Sequence, residues 1–187
     1  MNYWALVVGI LMLSFQADKK ETSFTIDFGK EGRVNDWYVV TDRVMGGVST
    51  SKVAYSKESL VFSGYVSLEN NGGFASIRSE QQLFDLSGFS EVQIRFRTSD
   101  LDRTFALRLN TNTRYYRPSY NHYFKANSTD WQIHQFKLAE FKETILGKTT
   151  GNTLPLDKLK HILRLGIMLN DKKEGNFSLE IDSIRFQ

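Results

Sequence analysis

Cysteine is absent from the 187 residues, proline occurs twice, and neither sign of charge dominates: 24 Lys+Arg against 21 Asp+Glu leave +3. The missing cysteine excludes a disulfide scaffold, thiolate zinc and iron–sulfur sites, a cysteine nucleophile and a lipidated cysteine anchor. The small net charge permits an acidic partner but does not call for nucleic acid. Histidine is scarce too, and His122, His134 and His161 show none of the close spacings of a metal site. There is no Gly-x-Ser-x-Gly elbow and no compelling Ser/His/Asp order. A catalytic residue, a metal and a cofactor are therefore not expected. The paired acids Asp100/Asp102 and Glu180/Asp182 have period-two spacing, so each pair could share a strand face; they read as solvated edge residues.

Long apolar runs are limited to the start. Met1 to Ala17 carry no charge, and Tyr3 to Phe15 are almost wholly apolar. A bilayer span needs about 20 such residues. The run instead fits a secretory signal, with Phe15-Gln16-Ala17 as a loose cleavage site before Asp18-Lys19-Lys20-Glu21. No Lys or Arg precedes it, so the alternative is an apolar tail that associates with a membrane. The expectation is an exported protein with one domain over residues 22–187.

What is present is a core-forming 41% of hydrophobic residues arranged with period two. Val92, Ile94 and Phe96 alternate with Gln93, Arg95 and Arg97; Phe105, Leu107 and Leu109 alternate with Ala106, Arg108 and Asn110; Leu165, Ile167 and Leu169 follow, then Phe177, Leu179 and Ile181. Each reads as a strand with one buried face. Phase changes predict a bulge at Asp182-Ser183 and another bulge or a bend between Trp131/Ile133 and Phe136/Leu138, with His134 on a polar face. Further strands are predicted over 24–28, 37–41, 48–55, 59–62, 65–68, 74–80 and 120–126. One short helix is predicted over 156–163, opened by Pro155. Gly/Asn-rich breaks fall at 46–47, 70–73, 147–152 and 175–176. About ten strands without intervening helices read as an all-β antiparallel sandwich or barrel.

Three segments stand out. Trp37 to Ser49 holds Asp42-Arg43 and the pair Gly46-Gly47; it lacks the Gly-Lys-Ser/Thr and following helix of a phosphate loop, and reads as a strand–turn–strand. Leu68 to Arg78 holds Asn70-Asn71-Gly72-Gly73. There Asn71-Gly72 predicts a type I′ hairpin turn, or an asparagine-rich binding loop that also uses Arg78. Arg114 to Tyr123 gathers Tyr115, Tyr116, Tyr120 and Tyr123 with Arg114 and Arg117, a set that could stack on sugar rings.

The first two of these segments resemble, in order, spacing and identity, the complex I intermediate-associated protein 30 family. The run Thr41-Asp42-Arg43-Val44-Met45-Gly46-Gly47-Val48-Ser49 and the run from Phe62-Ser63-Gly64 to Ile77-Arg78 carry the likeness. Leu165 to Lys172, Gly175-Asn176-Phe177 and Leu179 to Ile184 extend it to residues 24–186. The resemblance implies a galactose-binding-domain-like jelly roll and, by its eukaryotic members, a chaperone for assembly of respiratory complex I. The signal-like start fits an exported bacterial member. The turn Thr98 to Arg103 departs from the family by lacking its glycines. The reading is a non-enzymatic assembly or binding protein whose partner is a protein client such as a membrane-complex subunit. Its partner surface is expected to draw on Asp42, Arg43, Asn70, Asn71, Arg78, Tyr115 and Tyr116. The alternative is a carbohydrate-binding module, and an enzyme ranks last.

Overall fold

The computed structural model describes residues 22–29, 37–56 and 58–187; the apolar start lies outside them. Period-two sequences cannot bury their apolar side in isolation, and here two antiparallel sheets bury theirs against each other. The strands are β1 (Phe24–Asp27), β2 (Trp37–Thr41), β3 (Thr50–Tyr55), β4 (Leu60–Val66), β5 (Ala75–Ser79), β6 (Glu91–Arg97), β7 (Thr104–Asn110), β8 (Ser119–Lys125), β9 (Gln132–Lys137), β10 (Lys142–Ile145), β11 (Lys148–Thr153), β12 (Arg164–Leu169) and β13 (Gly175–Phe186). One sheet runs β3-β4-β13-β6-β9, with β1 also on β13, and the other runs β11-β10-β8-β7-β12-β5-β2. The all-β sandwich expectation holds.

The core lies between the sheets. Phe62, Ile94, Phe96, Leu179 and Ile181 of the first sheet meet Ile77, Phe105, Leu107, Tyr120 and Ile167 of the second, all closed to water. Phe96 and Phe124 join the layers edge to face, with centroids 4.8 Å apart. The predicted bulge at Asp182 is present, as the β13–β6 register shifts between Ile181 and Ser183.

Other expectations are corrected. The β6–β9 register is continuous from Glu91↔Lys137 to Phe96↔Gln132, so no bulge interrupts β9. His134 faces inward, 5.1 Å from the Phe96 ring, while Ile133 is 58% exposed. An outward isoleucine on an edge strand had imitated a phase change. Strands predicted over 59–62 and 65–68 are one strand, β4, whose Gly64 admits the β3 backbone at Thr50 and Ser51. The predicted helix is a 3-10 helix over Leu156–His161. Residues 147–152 are largely β11, paired with β10 around Leu146 and Gly147 at φ 49° and 77°. Asp100 and Asp102 lie in a turn, not on a strand.

The Asn71-Gly72 hairpin is also corrected. β4 and β5 belong to different sheets, so the segment between them crosses the sandwich. Asn70 (54°), Asn71 (60°) and Gly73 (114°) have positive φ, while Gly72 has φ −66°.

Two coupled loops and an arginine face

The 42–49 and 67–74 segments are one structure, held by the Asp42 carboxylate. After β2 the chain makes a 3-10 helix, Asp42–Met45, which ends at Gly46 with φ 90°. Asp42 is fully buried. It accepts the Ser49 N–H at 3.0 Å and the Ser49 hydroxyl at 2.5 Å from its own loop. From the other loop it accepts the N–H of Gly73 at 2.7 Å and of Phe74 at 3.2 Å. Ser49 Oγ in turn accepts the Ser67 N–H at 2.9 Å, and Asn70 Nδ2 donates to the Gly46 carbonyl at 3.1 Å.

Burial pushes the Asp42 carboxyl up, but the hydrogen bonds from Ser49, Gly73 and Phe74 outweigh it and hold the group below its ordinary value. The carboxylate also explains two glycines. A Cβ on Gly47 would collide with Asp42 Cγ and Oδ1, and one on Gly72 would lie 2.6 Å from Asp42 Oδ2.

Asp42 is expected at the partner surface from the sequence; it is instead fully buried and clamps the two loops together. The exposed part of the first loop comprises Arg43 and the apolar Val44 (71% exposed), Met45 (69%) and Val48 (44%), and the second loop adds Leu68 (42%). Asn70 and Asn71 are exposed beside them.

Arg78 belongs to a different surface. Alternation along β5 puts Ile77 in the core and Arg78 on the outward face. Cross-strand pairing then builds a row over the sheet: Tyr38, Arg78, Gly166, Arg108, Asn121 and Lys142. Arg164, two residues before Gly166 on β12, stands one pleat away and lies over the Tyr38 ring at 5.7 Å. Arg108 Nε donates to Asn121 Oδ1 at 2.8 Å, and Asn121 Nδ2 donates to Thr144 Oγ1 at 2.6 Å. Burial, then the charge of Arg78, pushes the Arg108 guanidinium down to about 10. Arg78 is lowered as well, by burial and the neighbouring Arg164 charge, against an opposing effect of Tyr38.

The tyrosine segment is a third, separate place. Tyr115 is 82% exposed and meets Tyr116 edge-on, at 86° between ring planes. Tyr116 OH accepts from Arg114 Nη1 at 2.7 Å. The outward carboxylates Glu180 and Asp182 are engaged by Arg97 at 2.6 Å and Arg95 at 3.0 Å. Among the described residues no group of three or more His, Asp or Glu side chains could hold a metal ion.

The family described as Complex I intermediate-associated protein 30 (CIA30) matches residues 26–181. The chain belongs to the CIA30 family. Its match runs from β1 into β13, so it spans both coupled loops and the arginine face. A search of curated proteins found no match. Among solved structures, the CIA30 chain is similar to a family 11 carbohydrate-binding module from Clostridium thermocellum in complex with a β-1,3-1,4-mixed-linked tetrasaccharide. The TM-score is 0.64 at 15% identity, over 88% of this chain and 94% of that one. The family 11 module of the cellulosomal cellulase Lic26A-Cel5E of the same organism gives 0.63 at 15% identity, over 88% and 93%. The agarase AgWH50C gives 0.56 at 11%, over 88% of this chain and 24% of the enzyme. At these identities the likeness establishes the jelly-roll, galactose-binding-like fold.

Alternation puts Arg108 on the face opposite the core, but nothing in the sequence joins it to Arg78, Tyr38, Asn121 or Arg164. The signal for them is their outward phase on the strands; what the sequence withholds is which strands are neighbours.

Proposed function

We propose that this CIA30 chain is a non-enzymatic binding protein acting in assembly, and that it holds a protein client, a membrane-complex subunit, on the coupled loops. The observation that carries this reading is the pairing of a rigid base with an apolar tip. Val44, Met45, Val48 and Leu68 are exposed above loops that the buried Asp42 fixes by four hydrogen bonds. Exposed apolar side chains on a pre-organised scaffold suit an apolar protein surface, because little entropy is lost on docking. Membrane-complex subunits present such surfaces before they are assembled. The family description supports a client of this kind. Export, with Met1–Ala17 as a signal, belongs to the same proposal; the mass of the mature protein tests it, with Asp18 as the expected first residue.

The test of the client reading is affinity capture in the native host with the full chain and two aspartate variants. Val44→Asp and Met45→Asp are expected to lose a membrane-complex subunit by about 10-fold or more, with melting unchanged. Leu146→Asp, at the far edge of the same sheet and 65% exposed, is expected to retain it. Equal capture by all three variants would remove the loops from the interaction. A sugar-binding role is second, because its support is an analogy of fold. The Tyr115 and Tyr116 rings stand edge-on and not as one coplanar platform.

A further inference from the structure

We infer that the outward face of the β2-β5-β12-β7-β8 sheet is a binding site for an oxyanion group, a carboxylate, sulfate or phosphate, received by Arg78, Arg108 and Arg164. Three observations converge on it. First, these cations lack counter-charges: among the described residues no carboxylate forms an ion pair with any of the three. On the other sheet, by contrast, the outward Arg95 and Arg97 are paired with Asp182 and Glu180. Second, Arg78 Nε and Arg164 Nε are buried N–H groups without an acceptor. A buried donor left unpaired is unfavourable, and one facing an oxyanion forms a strong charge-assisted bond.

Third, the floor between the arginines is kept low. Gly166 pairs with both Arg78 and Arg108, and a Cβ there would lie 3.7 Å from Arg78 Cγ and 3.9 Å from Arg108 Cβ. In the next row Ser76 and Ala106, both buried, flank Met168. Asn121 fixes one wall, because its amide is committed on both sides: its oxygen accepts from Arg108 and its nitrogen donates to Thr144. The Arg108 guanidinium is thereby pre-positioned, which is what fork-like recognition of an oxyanion requires. Tyr38 beneath Arg164 and the exposed Tyr123 opposite Ala106 add rings and hydroxyls to the same face. The oxyanion can be free or carried on a sugar, since both present the same acceptor atoms.

The test is titration calorimetry on the full chain with inorganic phosphate, sulfate, a trigalacturonate and a neutral mixed-linked glucan tetrasaccharide, at constant ionic strength. Saturable binding of at least one anionic probe is expected, weakened by about 10-fold or more in Arg108→Gln and in Arg78→Gln. Tighter binding of trigalacturonate than of phosphate and sulfate assigns the oxyanion to a sugar; equal or weaker binding assigns it to a free anion. Arg114→Gln, in the separate tyrosine segment, is expected to bind as wild type. Melting gives a second readout: the bound anion raises the melting temperature of the wild type and not that of Arg108→Gln. Anion binding that is equal in all variants, no anion binding at all, or a neutral tetrasaccharide bound as tightly as the acidic one would overturn the inference. Arg164→Gln supplies the same comparison if either first variant fails to fold.

Discussion

Asp42 shows how one residue can decide a surface without standing on it. Three backbone N–H groups and one hydroxyl from two loops end on its carboxylate. Asp42→Ala leaves them buried and unpaired and is expected to cost about 3–5 kcal/mol in urea unfolding. The sign of its pH dependence follows from a folded value below the ordinary 3.8. The stabilisation is present in full well above that ordinary value and is lost as pH falls through the folded value. Between about pH 5 and pH 2 the wild type should therefore lose stability more steeply than Asp42→Ala. Parallel pH profiles would show that Asp42 carries no special charge state. At Gly72, φ is −66°, so any residue could adopt the backbone, but the Asp42 oxygen fills the space for a Cβ. Gly72→Ala is expected to lower stability by about 1–3 kcal/mol. Gly46→Ala, with open space but φ 90°, should lose about 1–2 kcal/mol through backbone strain alone. The sequence pointed to both glycine pairs as turn-forming, yet it could not separate a glycine needed for its φ from one needed for its size.

At the scale of elements, alternation made most strands legible, because the inward phase of each is apolar and dry. Where that dry phase is missing the strands were missed: every residue of β11 is exposed, so Lys148 to Thr153 carries no dry face to read. Hairpins were harder still. Asn-Gly at 71–72 has the composition of a type I′ turn but joins strands of different sheets. Leu-Gly at 146–147 has the conformation without the composition, with both residues at positive φ. The misfit is itself a prediction. Leu146 is 65% exposed, so Leu146→Asn removes little packing and suits the left-handed backbone; it should raise stability by about 0.5–1 kcal/mol in chemical denaturation. A loss would mean that Leu146 packs where the structure leaves it open. The two motif loops were legible as dense in glycine and polar residues. Their union was not, because Asp42 reaches Gly73 and Phe74 across 31 and 32 residues.

For the whole molecule, the two candidate surfaces divide the chemistry. The coupled loops offer apolar contact on a fixed base; the arginine face offers charge over a floor of small residues. A net charge of +3 hid that second surface. Other arginines are neutralised locally, as Arg103 is by the buried Asp171 at 3.1 Å, Arg95 by Asp182 and Arg97 by Glu180; on the arginine face three stand together without a carboxylate partner among the described residues. The fold accommodates both surfaces because its core needs only the inward phase of each strand, leaving the outward phase and the connections free to vary. The most direct test of the account is site-specific photocrosslinking in the native host, with the reactive group placed at Met45 and, for comparison, at Leu146 and Tyr115. The account predicts a membrane-complex subunit crosslinked from position 45 and absent from the other two. Crosslinks to that subunit from 146 or 115 but not from 45 would contradict it, as would no protein crosslink from 45.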